Sequence, residues 1–138
     1  MIRIVAIFAL SALLSAMAAA EIRPAYAACD RQKLAGRAFI ECLETALPRS
    51  DQAVLDAVAR ARAKINARND LVPTQRTRWK NALEEAQGLF VRFRNFDCQN
   101  VAPYEGSGGR IGAFEERLAC LIDKNTFRLR DLDARYSE

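Results

Sequence analysis

Residues 79–98 read WKNALEEAQGLFVRFRNFDC, and helical periodicity is plainest here. Apolar side chains recur at alternating steps of four and three residues, at Trp79, Leu83, Ala86, Phe90 and Phe93. This spacing lines one face of an amphipathic α-helix, which we predict to begin at a Thr74 cap and to end near Cys98. Such an aromatic stripe is more often a buried face than a ligand site, so we assign these side chains to the core.

The same periodicity extends outward from this helix in both directions. Upstream, we predict a helix over residues 30–47, which Pro48 ends, and another that Ser50 caps and that fades near residues 69–70. Downstream, Pro103 and several glycines predict a loop over residues 99–110, followed by a helix over residues 111–136. Strand-like alternation is missing from the sequence. We therefore predict an all-α fold, a small antiparallel bundle of about four helices.

Each of these other helices has its own apolar face. The predicted faces are Leu34, Phe39, Ile40, Leu43 and Leu47; Val54, Leu55, Val58 and Ile65; and Ile111, Phe114, Leu118, Leu121, Asn125, Leu129, Leu132 and Tyr136. Asn125 is the one clearly polar member. A chain of this size buries a modest core, which disulfides would supplement.

The first residues have the order of a secretory signal peptide. Arg3 gives a positive start, residues 4–14 are almost all apolar, and residues 16–20 are mostly small. The apolar run is too short to span a membrane. We place cleavage after Ala27, which divides the chain into a leader, 1–27, and a domain, 28–138; cleavage after Ala20 is the alternative. The predicted location is the periplasm or the extracellular space, with no transmembrane span in the mature chain.

Four cysteines follow this leader, at Cys29, Cys42, Cys98 and Cys120. In a small exported domain, four cysteines favour two disulfides. Zinc is a weaker interpretation, because the chain has no CxxC spacing and no histidine. We therefore predict a disulfide-stapled domain without a metal or another cofactor.

The sequence leaves the pairing of these cysteines open. Cys98 and Cys120 flank the glycine-rich loop and could pair, which would join Cys29 to Cys42. An unbroken helix would hold Cys29 and Cys42 roughly 20 Å apart, whereas a disulfide needs Cα atoms within about 7 Å. Sequential pairing therefore requires the first helix to start late, for example at Gly36. Otherwise the bridges interlock the N-terminal helix with the C-terminal hairpin.

The chain lacks the residue patterns of common catalytic sites. Without histidine there is no Ser-His-Asp or Cys-His arrangement. The acidic pairs at residues 84–85 and 115–116 are helix neighbours that point about 100° apart, so neither pair converges on one substrate atom. The glycine cluster at residues 106–109 lacks the lysine of a phosphate loop. We predict that the protein is not an enzyme and has no catalytic residues.

Basic residues concentrate around the predicted turn between the second and third helices. They are Arg60, Arg62, Lys64, Arg68, Arg76, Arg78 and Lys80. In an antiparallel hairpin these residues meet at one end, here called the basic pole. Removing residues 1–27 takes away two arginines and one glutamate and lowers the formal charge from +4 to +3. An anionic lipid or glycan is one predicted partner of this pole, whereas nucleic acid is not expected for an exported protein.

Residues around the opening stretch resemble a motif of the LprI-like family of small secreted bacterial proteins. That motif reads Gln-x-x-Trp-x-x-Tyr/Phe-Arg followed by Cys. Here Phe90 replaces the tryptophan, and the matching residues are Gln87, Phe93, Arg94 and Cys98. The downstream Cys120, Arg128 and Leu132 fit the family order, and Cys29 and Cys42 resemble its opening cysteine pair. The likeness covers roughly residues 29–132 and departs from the pattern near Asp51 and Leu55.

This resemblance implies a helical, disulfide-bonded envelope protein that binds a protein partner. Lysozyme inhibition is the activity that the family name carries, so a lysozyme or another envelope protein is the predicted partner. Because lysozymes are usually cationic, a basic chain is a poor overall match. Inhibition would require a local acidic segment, such as residues 97–105, to make the contact.

Overall fold

The computed structural model describes residues 22–107 and 112–137, so residues 1–21 of the predicted leader lie outside the described part and residues 22–27 lie within it. Within these residues the chain is all-helical, as predicted. Three long helices pack side by side and two short ones flank them. The helices are α1 Pro24–Ala28, α2 Gly36–Asn66, α3 Pro73–Asn100, α4 Ala102–Ser107 and α5 Ala113–Tyr136. The long helices run up, down and up, so α3 is antiparallel to both of its neighbours.

The two predicted helices on either side of Pro48 are a single helix, so the predicted break is wrong. α2 continues through Pro48, which is exposed on its outer side. Proline removes one backbone N–H donor, but the buried faces before and after it, including Leu43 and Val54, both pack on α5. Burial of this continuous face outweighs the local break. Ser50 is consequently inside the helix, and its hydroxyl donates to the carbonyl of Leu47 instead of capping.

The beginnings of the long helices also differ from the prediction. α2 starts at Gly36, which has a φ of +55° that favours glycine, and not at residue 30. α3 begins with Pro73 at its first position, so Thr74 lies inside the helix and is not its cap. The side-chain oxygen of Gln75 instead accepts a hydrogen bond from the N–H of Val72. α4 occupies part of the predicted loop.

The late start of α2 decides the disulfide pairing. It lets the segment before Gly36 fold back, so that the Cα atoms of Cys29 and Cys42 lie 5.9 Å apart in a disulfide. Cys98 and Cys120 form the second bridge, between α3 and α5, with Cα atoms 5.5 Å apart. The pairing is therefore sequential, one of the two arrangements that the sequence left open.

The core extends along the seam between α2 and α5 in two clusters. The N-terminal cluster contains Phe39, Leu43, Leu118 and Ile122, and Cys29 and Ala25 close its end. The other cluster contains Val54, Ala57, Ala61, Ile65, Leu83 and Leu132. In the described chain, no helix is both long enough and apolar enough to span a bilayer.

The predicted apolar face of α3 is only partly buried. Leu83 is buried, and Trp79 and Phe90 are half-buried, but Ala86 is exposed and Phe93 is 57% exposed. Assigning Phe93 to the core was therefore wrong. The reason is that α3 has only two buried residues, Leu83 and Cys98, and contacts α5 through polar side chains such as Gln87 and Arg94. On the other helices, Leu55 and Phe114 are exposed too, and Ile111 lies outside the described residues.

Candidate functional site

The motif residues of α3 meet α5 through polar contacts. Gln87, Phe90 and Arg94 follow one another at steps of three and four and so share one side of the helix. The side-chain oxygen of Gln87 accepts a hydrogen bond of 3.1 Å from Nε of Arg128. The same guanidinium lies 5.6 Å from the centre of the Phe90 ring and pairs with Asp131 at 2.8 Å. The motif therefore fixes Arg128, which is 12% exposed, between the two helices.

One turn further along, Arg94 joins three helices. Its Nη1 donates to Asp51 on α2 and to the side-chain oxygen of Asn125 on α5, both at 2.6 Å. Asn125 is 1% exposed and donates in turn to Ser50 and Asp51 at 2.9 and 2.8 Å. We call Ser50, Asp51, Arg94 and Asn125 the polar knot. These contacts explain why Asn125 is the one polar residue on the predicted apolar face of α5, because its amide oxygen and its amide nitrogen both have hydrogen-bond partners.

The remaining motif residues lie in the core or at its edge. Cys98 and Cys120 form a disulfide, and Leu132 is 1% exposed between α2 and α5. Asp97 lies beside this disulfide, but the two sulfur atoms are bonded to each other and are not available as thiolate ligands. Most residues of the motif therefore hold the helices together.

Phe93 is the exception, because it belongs to an exposed apolar surface. Leu89, Phe93 and Phe96 follow at steps of four and three on α3 and are 53%, 57% and 67% exposed. Phe127 of α5 is 56% exposed. Lys124 joins the two helices, since its Nζ lies 4.8 Å from the centre of the Phe93 ring and 2.8 Å from a carboxylate oxygen of Asp97. We call Leu89, Phe93, Phe96 and Phe127 the apolar face.

A cleft of about 370 Å³ lies next to this face. Its lining residues are Arg23, Asp97, Ala102, Glu105, Glu116, Cys120, Asp123, Lys124 and Phe127. Four carboxylates and two cations give it a formal charge of −2, opposite to the +4 of the whole chain. We call it the acidic cleft. Asp97 and Glu105, the ends of the acidic segment that the sequence suggested, lie on α3 and α4 and line the same cleft.

Arg23 occupies the wall of the acidic cleft. It donates two hydrogen bonds to the carboxylate of Glu116, at 2.7 and 3.0 Å, and one to Asp123 at 2.7 Å. The hydrogen bonds to Glu116, and then the one to Asp123, raise the pKa of the guanidinium despite its partial burial. Sequence reasoning missed this residue because it was assigned to the leader.

The seven basic residues lie at the α2–α3 end of the bundle, but acidic neighbours neutralise several of them. Arg60 pairs with Asp133 at 2.9 Å, and Arg62 pairs with Glu84 at 2.9 Å. Arg68 pairs with Asp70 at 2.6 Å, and this hydrogen bond lowers the Asp70 pKa to about 2. Arg76 donates to two backbone carbonyls of the turn. Lys64, Arg78 and Lys80 complete the pole on α2 and α3.

An apolar groove of about 490 Å³ adjoins the basic pole. It lies between α2 and α5, and its lining residues are Ala57, Arg60, Ala63, Lys64, Ala67, Leu132, Asp133, Tyr136 and Ser137. The groove therefore combines apolar walls with two cations and one carboxylate, Asp133, which pairs with Arg60.

The acidic pairs on the helices do not form a two-carboxylate site. Glu84 pairs with Arg62, Glu115 with Arg31 and Glu116 with Arg23. Glu115 and Glu116 therefore point to different arginines. Glu84 and Glu85 are exposed on α3, whereas Glu115 and Glu116 are half-buried.

A family model described as Lysozyme inhibitor LprI matches residues 26–132. The match covers α2 to α4 and nearly all of α5, and so both disulfides and the whole polar knot. No curated protein and no solved structure matches the chain.

Proposed function

The chain belongs to the lysozyme inhibitor LprI family, and from this premise we propose that it binds a lysozyme through the acidic cleft and the apolar face. The members of this family are inhibitors and are not known to be enzymes. The chain's membership of the family and its two disulfides together indicate an extracytoplasmic location. A periplasmic or secreted inhibitor that exerts its effect by binding is the function in best agreement with these features.

The charge of the cleft is the observation that carries the choice of surface. Lysozymes are usually cationic, so an exported domain with the formal charge of +3 that remains without residues 1–27 is repelled on average. The acidic cleft reverses the sign locally to −2, and Glu105 is exposed at its edge. A basic side chain of the partner would meet carboxylates there, while the basic pole lies at the opposite end of α3.

The apolar face supplies the second element of a protein interface. Large apolar side chains that are exposed together mark interaction surfaces, and aromatic residues dominate the binding energy of such interfaces. Phe127 lines the cleft, and Phe93 contacts Lys124, which lines it too, so one partner would bury both rings together with the cleft.

Inhibition of purified lysozymes by the oxidised domain tests this proposal. We expect Phe93→Ala and Phe127→Ala each to weaken inhibition by about tenfold or more, which corresponds to roughly 1.4 kcal/mol of binding energy. Glu105→Gln should lower the association rate and make it less sensitive to salt. Leu55→Ala, which removes an equally exposed apolar side chain on α2, is the matched control and should leave inhibition unchanged.

Reduction of the disulfides provides a second control. Inhibition that disappears on reduction would attribute the activity to the folded domain, because one bridge joins the end of α1 to α2 and the other joins α3 to α5. The absence of inhibition for every lysozyme class would contradict the proposal. Inhibition that is equally strong in the phenylalanine variants and in Leu55→Ala would contradict the choice of surface.

The groove beside the basic pole favours a second candidate function, the binding of an anionic lipid or glycan. Its apolar walls suit an acyl chain, and its two cations, Lys64 and the Arg60 that pairs with Asp133, outnumber its one carboxylate and suit an anionic group. Lipid is the better fit of the two, since a glycan offers little apolar surface to such walls. Binding to anionic vesicles that weakens steeply with salt would support this candidate.

A further inference from the structure

We infer that the exported protein retains residues 22–28, so that its leader is removed between Ala20 and Glu21 and not after Ala27. The inference rests on the predicted signal peptide and is independent of lysozyme binding. The reaction is hydrolysis of one peptide bond by a signal peptidase. Water adds across the bond, the carboxylate remains on Ala20, and the new amino group belongs to Glu21.

Arg23 is the first reason. It is the cation for two carboxylates in the wall of the acidic cleft, Glu116 and Asp123, whose side chains are only 13% and 11% exposed. Removing one partner of a half-buried ion pair leaves the other charge poorly solvated and is strongly destabilising. Cleavage after Ala27 would do this to both acids at once.

Ala25 is the second reason. It is fully buried in the N-terminal core cluster together with Cys29 and Phe39. Its backbone N–H donates to Asp123 at 2.8 Å, so Asp123 accepts hydrogen bonds from two residues of this segment. The loss of residues 22–27 would open the end of this cluster and remove both donors.

Tyr26 adds an aromatic contact to the same cluster. Its ring centre lies 5.9 Å from that of Phe39, and the guanidinium of Arg23 lies 4.9 Å from the Tyr26 ring. The new amino group of a chain beginning at Ala28 would not replace Arg23, because Ala28 is exposed and lies at the opposite end of the short helix α1 from Arg23. The segment 22–28 therefore behaves as part of the domain.

The sequence around both bonds is compatible with this assignment. Ala18 and Ala20 provide the small residues that a signal peptidase requires, as Ala25 and Ala27 do for the later bond. Ala20 follows the apolar run by six residues and Ala27 by thirteen. The match to the family also begins at residue 26, before the later bond.

Intact mass and N-terminal sequencing of the full-length chain after export from a bacterial host test the inference. We expect the exported protein to begin at Glu21. Ala20→Leu should stop processing at this bond, whereas Ala27→Leu, at an exposed position, should leave the new N-terminus at Glu21. An exported protein that begins at Ala28 would overturn the inference. Processing that is blocked by Ala27→Leu and not by Ala20→Leu would overturn it too.

A second measurement addresses the physical reason directly. Domains spanning residues 21–138 and 28–138 are refolded under oxidising conditions and their thermal midpoints are compared. We expect the shorter domain to melt roughly 10 °C lower, and Arg23→Gln in the longer domain to reproduce part of this shift. Equal midpoints for the two domains would remove the reason for retaining the segment.

Discussion

Replacing Asn125 with alanine tests the polar knot, which joins the three long helices. The amide accepts one hydrogen bond from Arg94 and donates to Ser50 and Asp51, and the residue is 1% exposed. A hydrogen bond with a charged partner contributes about 1.5–3 kcal/mol and a neutral one about 0.5–1.5 kcal/mol. Asp51 is 43% exposed and regains water after the change, so we expect a total loss of about 3 kcal/mol.

Urea denaturation of the oxidised domain, followed by circular dichroism, measures this loss. We expect a lower midpoint with an unchanged dependence on urea, and a thermal midpoint lowered by roughly 12 °C. Asn81→Ala is the matched control, because this asparagine is exposed on α3, and it should change the stability by less than about 0.5 kcal/mol. A loss below about 1 kcal/mol for Asn125→Ala would refute the view that the knot stabilises the bundle.

Three further predictions concern the ends of the bundle. The Asp70 carboxyl should titrate in an NMR experiment near pH 2, well below its ordinary value of 3.8, because Arg68 holds it ionised, and Arg68→Gln should bring the midpoint back towards 3.8. Since the folded pKa is lowered, this pair stabilises the fold above about pH 3.8 and ceases to do so as the pH falls through about 2; a midpoint unaffected by Arg68→Gln would exclude this cause. Replacing four arginines of the basic pole together with glutamine should abolish salt-sensitive binding to anionic vesicles and leave lysozyme inhibition intact. The four are Arg60, Arg62, Arg76 and Arg78, and unchanged vesicle binding would rule out a lipid role for them. Replacing Cys98 and Cys120 together with serine should lower the free energy of unfolding by about 2–4 kcal/mol in urea denaturation, and an unaltered midpoint would mean that the bridge adds no stability.

Only part of the candidate site could be predicted from the sequence. The motif from Gln87 to Arg94 identified the family, but motif spacing does not say whether a side chain faces a neighbour or solvent. Gln87 and Arg94 are half-buried and make hydrogen bonds to α5, whereas Phe93 is exposed. Arg23 was missed because it was assigned to the leader, and residues of a cleaved leader are not expected to make contacts in the folded domain.

The sequence by itself determined the helical class, the approximate extent of α3 and α5, the two disulfides and the family, because these depend on periodicity, composition and local motifs. Tertiary structure alone decided the rest. Pro48 carries a local signal to stop a helix, yet packing of one long face of α2 on α5 overrides it. The cysteine pairing depended on where α2 begins, and the partners of Asn125 come from residues 31 to 75 positions away. Contacts between segments so distant in the chain leave no periodic trace in the sequence, and they are what fixes the arrangement of this bundle.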